Sequence, residues 1–287
     1  MALTKQQILD LPALHDQIQV QSRSLIGMFD YDTRLAAVFA TQQRWLLSHL
    51  GLSLYFRNIA ANPASGFHIS DFLEAARKYG IASRNTADSY VKEMVKYKYL
   101  LAQTDPGDKR LKPLSPSASV LAAIGGWLQI HLTSLDSLAG ENRLAAFQKD
   151  PAMTARMQPI IADGLIHAYA VRHPEKTFSL FTWLDNGGLV MDWLITSMEP
   201  APLDVERVPV GEISIGEMAA RLNLSRTHLA RKLKEAEALG SIGWEGRRGH
   251  SVMWVSKGFR QEYAGAQADK LSIIDQAFEA VLGAKAG

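Results

Sequence analysis

One pattern occurs twice in this chain and leaves few folds open to it. In Ile213 to Ser256, the run Ile215-Gly216-Glu217-Met218-Ala219-Ala220-Arg221-Leu222 places apolar residues at i, i+3, i+4 and i+7, along one helix face. Asn223-Leu224 breaks the run, and Ser225 is placed to cap a second helix, Arg226 to Leu239. That helix turns Leu229, Leu233 and Ala236 inward and leaves Arg226, Thr227, Arg231 and Lys234 on its other face. Gly240 stops it. Ile242-Gly243-Trp244 and Val252-Met253-Trp254-Val255 then alternate as strands do. They flank Glu245-Gly246-Arg247-Arg248-Gly249-His250, a glycine-bracketed hairpin with two arginines at its tip. Helix, turn, basic helix and basic hairpin, in that order, suit a winged helix-turn-helix that enters a DNA groove. A helical hairpin followed by a ribbon, its charges solvated, accounts for the apolar spacing equally well. It accounts less well for cations gathering on the second helix and the hairpin tip.

The other occurrence is earlier. Ile69-Ser70-Asp71-Phe72-Leu73-Glu74-Ala75-Ala76-Arg77 parallels Ile213 to Arg221, and Ser83-Arg84-Asn85-Thr86 parallels Ser225-Arg226-Thr227-His228. The helix from Arg84 to Tyr97 is expected to bury Ala87, Val91, Met94 and Val95 and to expose Arg84, Asn85, Ser89 and Lys92. Leu100-Leu101 leads into Thr104-Asp105-Pro106-Gly107-Asp108-Lys109-Arg110, a basic-tipped turn, and the return strand ends at Leu114-Ser115, matching Val255-Ser256. The offsets are 144 from Arg77 to Arg221, 142 from Ser83 to Ser225 and 141 from Ser115 to Ser256. A near-constant offset of half the chain predicts an internal duplication, with repeats 1–140 and 141–287 and winged regions at about 66–115 and 211–258. The fold class expected is mainly α with two small β-wings, the two winged helix-turn-helix domains joined through a helical scaffold.

For that scaffold the periodicity predicts helices over residues 4–20 (Ile8, Leu11, Leu14, Ile18, Val20) and 33–60, the latter with Gly51 leaving room for a bend or a close contact. A tryptophan-bearing helix precedes each copy (Trp45, Trp183), and helices over 117–139 and 257–283 follow the wings. A chain of 287 residues, 47% hydrophobic and 21% charged, has ample core for two domains. The absence of cysteine excludes disulfides and thiolate chemistry. The N-terminal segment lacks a secretory apolar core, and Val120 to Ile130, interrupted by Gly125 and Gly126, reads as too short to span a bilayer. A soluble cytoplasmic protein is expected. The formal net charge is only +2, but residues 66–115 and 211–262 each carry +3 while 116–210 carry −4. Positive charge therefore coincides with the two winged regions.

A helix, a winged region and a closing helix in a unit of this length resemble a MarR-type transcriptional regulator. Asp108-Lys109-Arg110 followed by Leu114-Ser115 is similar to that family's acidic-x-arginine wing tip and the Leu-Thr before its last helix. The family works as a homodimer with intertwined terminal helices, so the resemblance implies a single-chain pseudo-dimer here. The second wing departs from it, having Arg247-Arg248 but no Asp-x-Arg.

Double-stranded DNA is thus the partner expected, with no cofactor, no metal and no catalysis. In the first copy the candidate DNA-binding residues are Ser83, Arg84, Asn85, Thr86, Ser89 and Lys92, with Lys109 and Arg110 on the wing. In the second they are Ser225, Arg226, Thr227, His228, Arg231, Lys232 and Lys234, with Arg247 and Arg248 on the wing. Base readout falls to the two helix N-termini, and phosphate contacts to Lys92, Lys109, Lys232 and the wing arginines. No phosphate loop, nucleophile elbow or paired-histidine spacing occurs. Asp163 and His167 share a helix face, which reads as a surface hydrogen bond before a metal site, and His131 and His167 read as core histidines. Trp127, Trp183, Trp193 and Met191 allow a pocket for a small-molecule effector, but aromatic core packing between repeats is the favoured reading of them. Two other readings stay open: a plasmid-type replication initiator with tandem winged helices, and a winged-helix protein-interaction scaffold.

Overall fold

The computed structural model describes residues 1–39, 41–62, 65–103 and 112–284. It is mainly helical. The N-terminal segment is two helices rather than one, α1 (Lys5–Leu9) and α2 (Leu14–Tyr31), because Pro12 cannot donate into a continuous helix. Thr4 caps α1 through a box with Gln7. Of the apolar positions expected on this segment, Ile8, Leu14 and Ile18 are buried and Val20 is exposed. The expected 33–60 helix is likewise divided, into α3 (Thr33–Ala36), a 3-10 turn (Ala37–Phe39) and α4 (Gln42–Ala61).

Two helices and two strands follow: α5 (Ile69–Lys78), α6 (Arg84–Lys96), β1 (Leu100–Ala102) and β2 (Leu114–Pro116). After these come α7 (Ala118–Ala139), α8 (Arg143–Gln148) and α9 (Met153–His167), then α10 (Tyr169–Arg172), α11 (Lys176–Thr182) and α12 (Gly187–Thr196). The last stretch is β3 (Arg207–Glu212), α13 (Ile215–Arg221), α14 (Arg226–Ala238), β4 (Ile242–Trp244), β5 (Val252–Ser256) and α15 (Lys257–Gly283). The helices expected after the wings start within one residue of their expected bounds, since Ser117 and Ser256 accept amide bonds from Val120 and Phe259. The strand register shows that Ser117, not Ser115, does for α7 what Ser256 does for α15.

The chain forms two compact units. Unit 1 takes Met1–Leu3, Gln43–Ala168 and the chain from Leu271 onward; unit 2 takes Thr4–Gln42 and Tyr169–Lys270. Each unit is thus assembled from segments distant in sequence, and α15 contributes its first part to unit 2 and its last part to unit 1. These units group residues by proximity, which is a different division from the expected repeats 1–140 and 141–287.

In unit 1, α7 is 22 residues long, and an 18-residue window in it has mean hydropathy 1.3. By length and composition it is the one helix among the described residues able to cross a membrane, which corrects the expectation that this apolar stretch is too short. Within the unit it buries Val120, Ile124, Leu128, Leu132 and Leu135 and packs against α8 and α9. Arg143 and Asp275 form a buried ion pair, and Asp275 also accepts the Leu3 amide at 2.7 Å. In unit 2, α2 lies along α12 with Ile18, Ile26, Val190 and Leu194 in the core.

The sheets are small and antiparallel. β1 pairs with β2, and Phe67 bridges Leu114 on the other side of β2. In unit 2 the order is β3-β5-β4, with Val208 opposite Val255. β3 went unread in the sequence because Pro209 and Gly211 interrupt its alternation. It is an edge strand with a bulge at those residues, the place where a sheet tolerates proline.

Candidate nucleic-acid interface

In unit 2, Ser214 caps α13 by accepting the Glu217 amide at 3.3 Å, and Met218, Ala219 and Leu222 are buried. Asn223 takes a left-handed conformation (φ 53°), which lets the Leu224 amide reach back to the Ala219 carbonyl at 2.8 Å. Ser225 then caps α14, its hydroxyl facing the His228 amide at 3.5 Å. The buried face of α14 is Leu229, Leu233 and Ala236. Arg226, Thr227, His228, Arg231 and Lys234 are all exposed. No acidic residue occupies the first turn, so the positive end of the helix dipole adds to the cations there. Gly240 (φ 72°) ends the helix, with the Ser241 amide bonded to the Ala236 carbonyl.

The remaining cations of this unit are less equal than their sequence suggests. Lys232 is half-buried and donates to Glu235 at 2.9 Å. Arg231 Nε lies 3.9 Å from the same carboxylate. Arg248 pairs with Glu237, and its guanidinium lies 5.6 Å from the Trp244 ring centre. Among the described residues, Arg226, Lys234 and Arg247 enter no ion pair. Arg207 on β3, which sequence reasoning missed, lies 4.3 Å over the Trp254 ring and is exposed. Its signal was slight, Val208 and Val210 spaced by two on either side of Pro209.

In unit 1 the local construction is closely parallel. Gly80 (φ 61°) turns the chain between α5 and α6, and the Ile81 amide reaches the Ala76 carbonyl at 2.9 Å. Ser83 caps α6, accepting the Thr86 amide at 3.2 Å, while the Ser83 and Thr86 hydroxyls share a 2.9 Å bond. Arg84, Asn85, Thr86, Ser89 and Lys92 are exposed, with Lys92 tied to Asp88 at 2.6 Å. The buried face is Ala87, Tyr90, Val91 and Met94. Val95, expected inside, is 37% exposed, and Tyr90 takes the inward position instead. Its phenol bonds Ser48 at 2.7 Å and is pushed up to about 12, chiefly by burial. Arg44 grips Glu93 with both terminal nitrogens, at 3.0 and 2.9 Å, so α4 braces α6. Lys109 and Arg110, with the rest of the expected tip, lie outside the described residues.

The other sequence candidates resolve into packing. Asp163 pairs with Arg57 at 2.5 Å, and His167 Nδ1 faces the Asp163 carbonyl at 2.8 Å. His167 is exposed, not a core histidine, and lies edge-on to Tyr79, whereas His131 is fully buried. Trp127 belongs to unit 1, in a cluster with Trp45, His49 and His131. Trp183, Trp193 and Met191 belong to unit 2, where Met191 is buried and Trp183 is 63% exposed.

Comparison with family models, with curated proteins and with solved structures finds no match.

Proposed function

We propose that this protein binds double-stranded DNA sequence-specifically and regulates transcription through two unlike winged helix-turn-helix modules carried on one chain. The observation that carries the reading is α14. A serine-capped helix buries one face and presents Arg226, Thr227, His228, Arg231 and Lys234 on the other, beside a hairpin whose Arg247 is exposed. Such a helix matches the major groove in width, and its N-terminal side chains are the ones that meet base edges. The hairpin cation supplies phosphate or minor-groove contact.

Duplication is supported by register. The Ser117 amide bonds the Tyr99 carbonyl as the Ser256 amide bonds the Ser241 carbonyl, 142 residues on at the first strand and 139 at the second. The buried Ala87, Val91 and Met94 recur as Leu229, Leu233 and Ala236, each 142 residues on. In this reading α6 and α14 are the two recognition helices.

The test is salt-titrated binding of the full chain to a mixed-sequence duplex, followed by site selection. Wild type should bind with a steep salt dependence, and Arg226→Ala should lose about 1–3 kcal/mol on the selected site while relaxing one base position. Unchanged affinity of an Arg226→Ala, Arg231→Ala chain on that site sinks the assignment of α14.

A further inference from the structure

Arg247 and Arg248 are neighbours at one hairpin tip, yet the structure gives them different surroundings. The tip is a four-residue turn, Arg247 to His250, closed by the His250 amide on the Arg247 carbonyl at 3.0 Å, with Gly249 at φ +73° in the third position. Backbone pairing between the strands ends with the Glu245 amide on the Val252 carbonyl at 2.9 Å. Beyond that bond, Ser251 stitches the loop, accepting from the Gly246 amide at 3.1 Å and donating to the Arg247 carbonyl at 3.0 Å. Ile215 of α13 lies beside Gly249 at the tip, and Arg248 adds the polar tie: it donates to Glu237 in the last turn of α14 and lies over Trp244 at the end of β4. Arg247 enters no ion pair among the described residues.

We infer that Arg248 is a positioning residue, and that Glu237 belongs to the DNA-binding apparatus despite its negative charge: the Arg248–Glu237 clasp fixes the hairpin against α14 so that Arg247 faces the backbone of the duplex. The inference rests on the DNA reading above. It makes a prediction whose sign opposes simple electrostatics. An acid on a DNA-binding helix repels phosphate, so removing it should tighten binding if Arg248 were itself a phosphate contact freed by the change. If the clasp positions the hairpin, removing the acid weakens binding.

The experiment uses the full chain and a mixed-sequence double-stranded oligonucleotide, comparing wild type, Glu237→Gln, Arg248→Ala and the charge swap Glu237→Arg with Arg248→Glu. Amide hydrogen exchange of the hairpin is followed in the DNA-free protein. The clasp predicts that Glu237→Gln weakens binding roughly two- to five-fold, the worth of one partly exposed pair. It also predicts an unchanged salt slope for Arg248→Ala, faster exchange at Gly246 and His250 in both single variants, and recovery of affinity and exchange in the swap. Tighter or equal binding by Glu237→Gln overturns it, as does loss of about one unit of salt slope in Arg248→Ala, which marks a phosphate contact. A wild-type chain that retains no duplex at low salt overturns the DNA reading instead. The exchange arm then still decides the clasp, and unaltered hairpin exchange in Glu237→Gln removes it.

Discussion

A methyl group added to Gly187 would lie 1.8 Å from the Phe181 carbonyl oxygen and 3.1 Å from Leu184 Cβ. Backbone cannot yield as a side-chain tip can, so Gly187→Ala should cost at least about 2–3 kcal/mol, read as a lower urea midpoint of the full chain. Gly125 and Gly126, in the middle of α7, meet nothing within 4 Å of an added Cβ. There the gain in helix propensity is unopposed, and Gly125→Ala should stabilise by about 0.5–1 kcal/mol in the same assay. Equal effects at the two sites would show that crowding at Gly187 relaxes away. Both glycines read alike in the sequence, because the atoms that separate them come from a turn in one case and open space in the other. The same limit applied to the two arginines of the hairpin: adjacency in sequence says nothing of Glu237, which one of them reaches and the other does not.

Helix faces were legible from spacing, but their polar contents were not. Asp192 stands alone in the apolar run of α12, and the structure brings to it Ser22 of α2 at 2.8 Å and the Tyr263 phenol of α15. Burial raises the Asp192 carboxyl and the Tyr263 phenol, and pushes the half-buried Lys270 ammonium down to about 8 against an opposing pull from Asp192. For Lys270 the folded pKa lies below the ordinary 10.5, so between about 8 and 10.5 the unfolded chain holds a proton that the folded one lacks. Stability should therefore rise with pH across that window. Urea unfolding from pH 7.5 to 10.5 should show this rise in wild type and a flatter profile in Lys270→Met; parallel profiles would remove Lys270 as its source. In unit 1, Arg143 and Asp275 are 1% and 0% exposed, with Asp136 and Glu141 also facing the guanidinium. Burial alone would lower Arg143, but the bond to Asp275 and the surrounding acids hold it raised. Arg143→Met leaves a buried carboxylate unpaired and should cost about 3–5 kcal/mol, and adding Asp275→Leu should recover much of the loss. A double variant no better than the single one would show that the pair itself, not the orphaned charge, carries the stability.

For the whole molecule, the proposed DNA reading makes α6 and α14 differ where a groove would be read. Arg84-Asn85-Thr86 on α6 stands against Arg226-Thr227-His228 on α14, and Ser89 against Arg231. Identical half-sites cannot satisfy both, so footprinting of one chain on its selected site should protect two unlike sequences. One protected groove, or a palindrome bound by two chains, would end the single-chain reading. Apolar spacing, serine caps and turn residues are local, acting over three or four positions, and from them the chain's text already specified α6, α14, the two hairpins, the closing helices and the segregation of charge. The offsets of 144, 142 and 141 compare local patterns in the same way. Three-dimensional packing settled what depends on residues far apart. It placed residues 4–42 in one unit with α13, α14 and the three-stranded sheet and divided α15 between units. It made Pro209 part of an edge strand, gathered Ser22, Asp192 and Tyr263, and paired Lys232 and Arg248 with acids while leaving Arg226 and Arg247 exposed. Those outcomes turn on which surfaces meet when backbone and side chains close-pack, and a period of three or four residues carries no record of that.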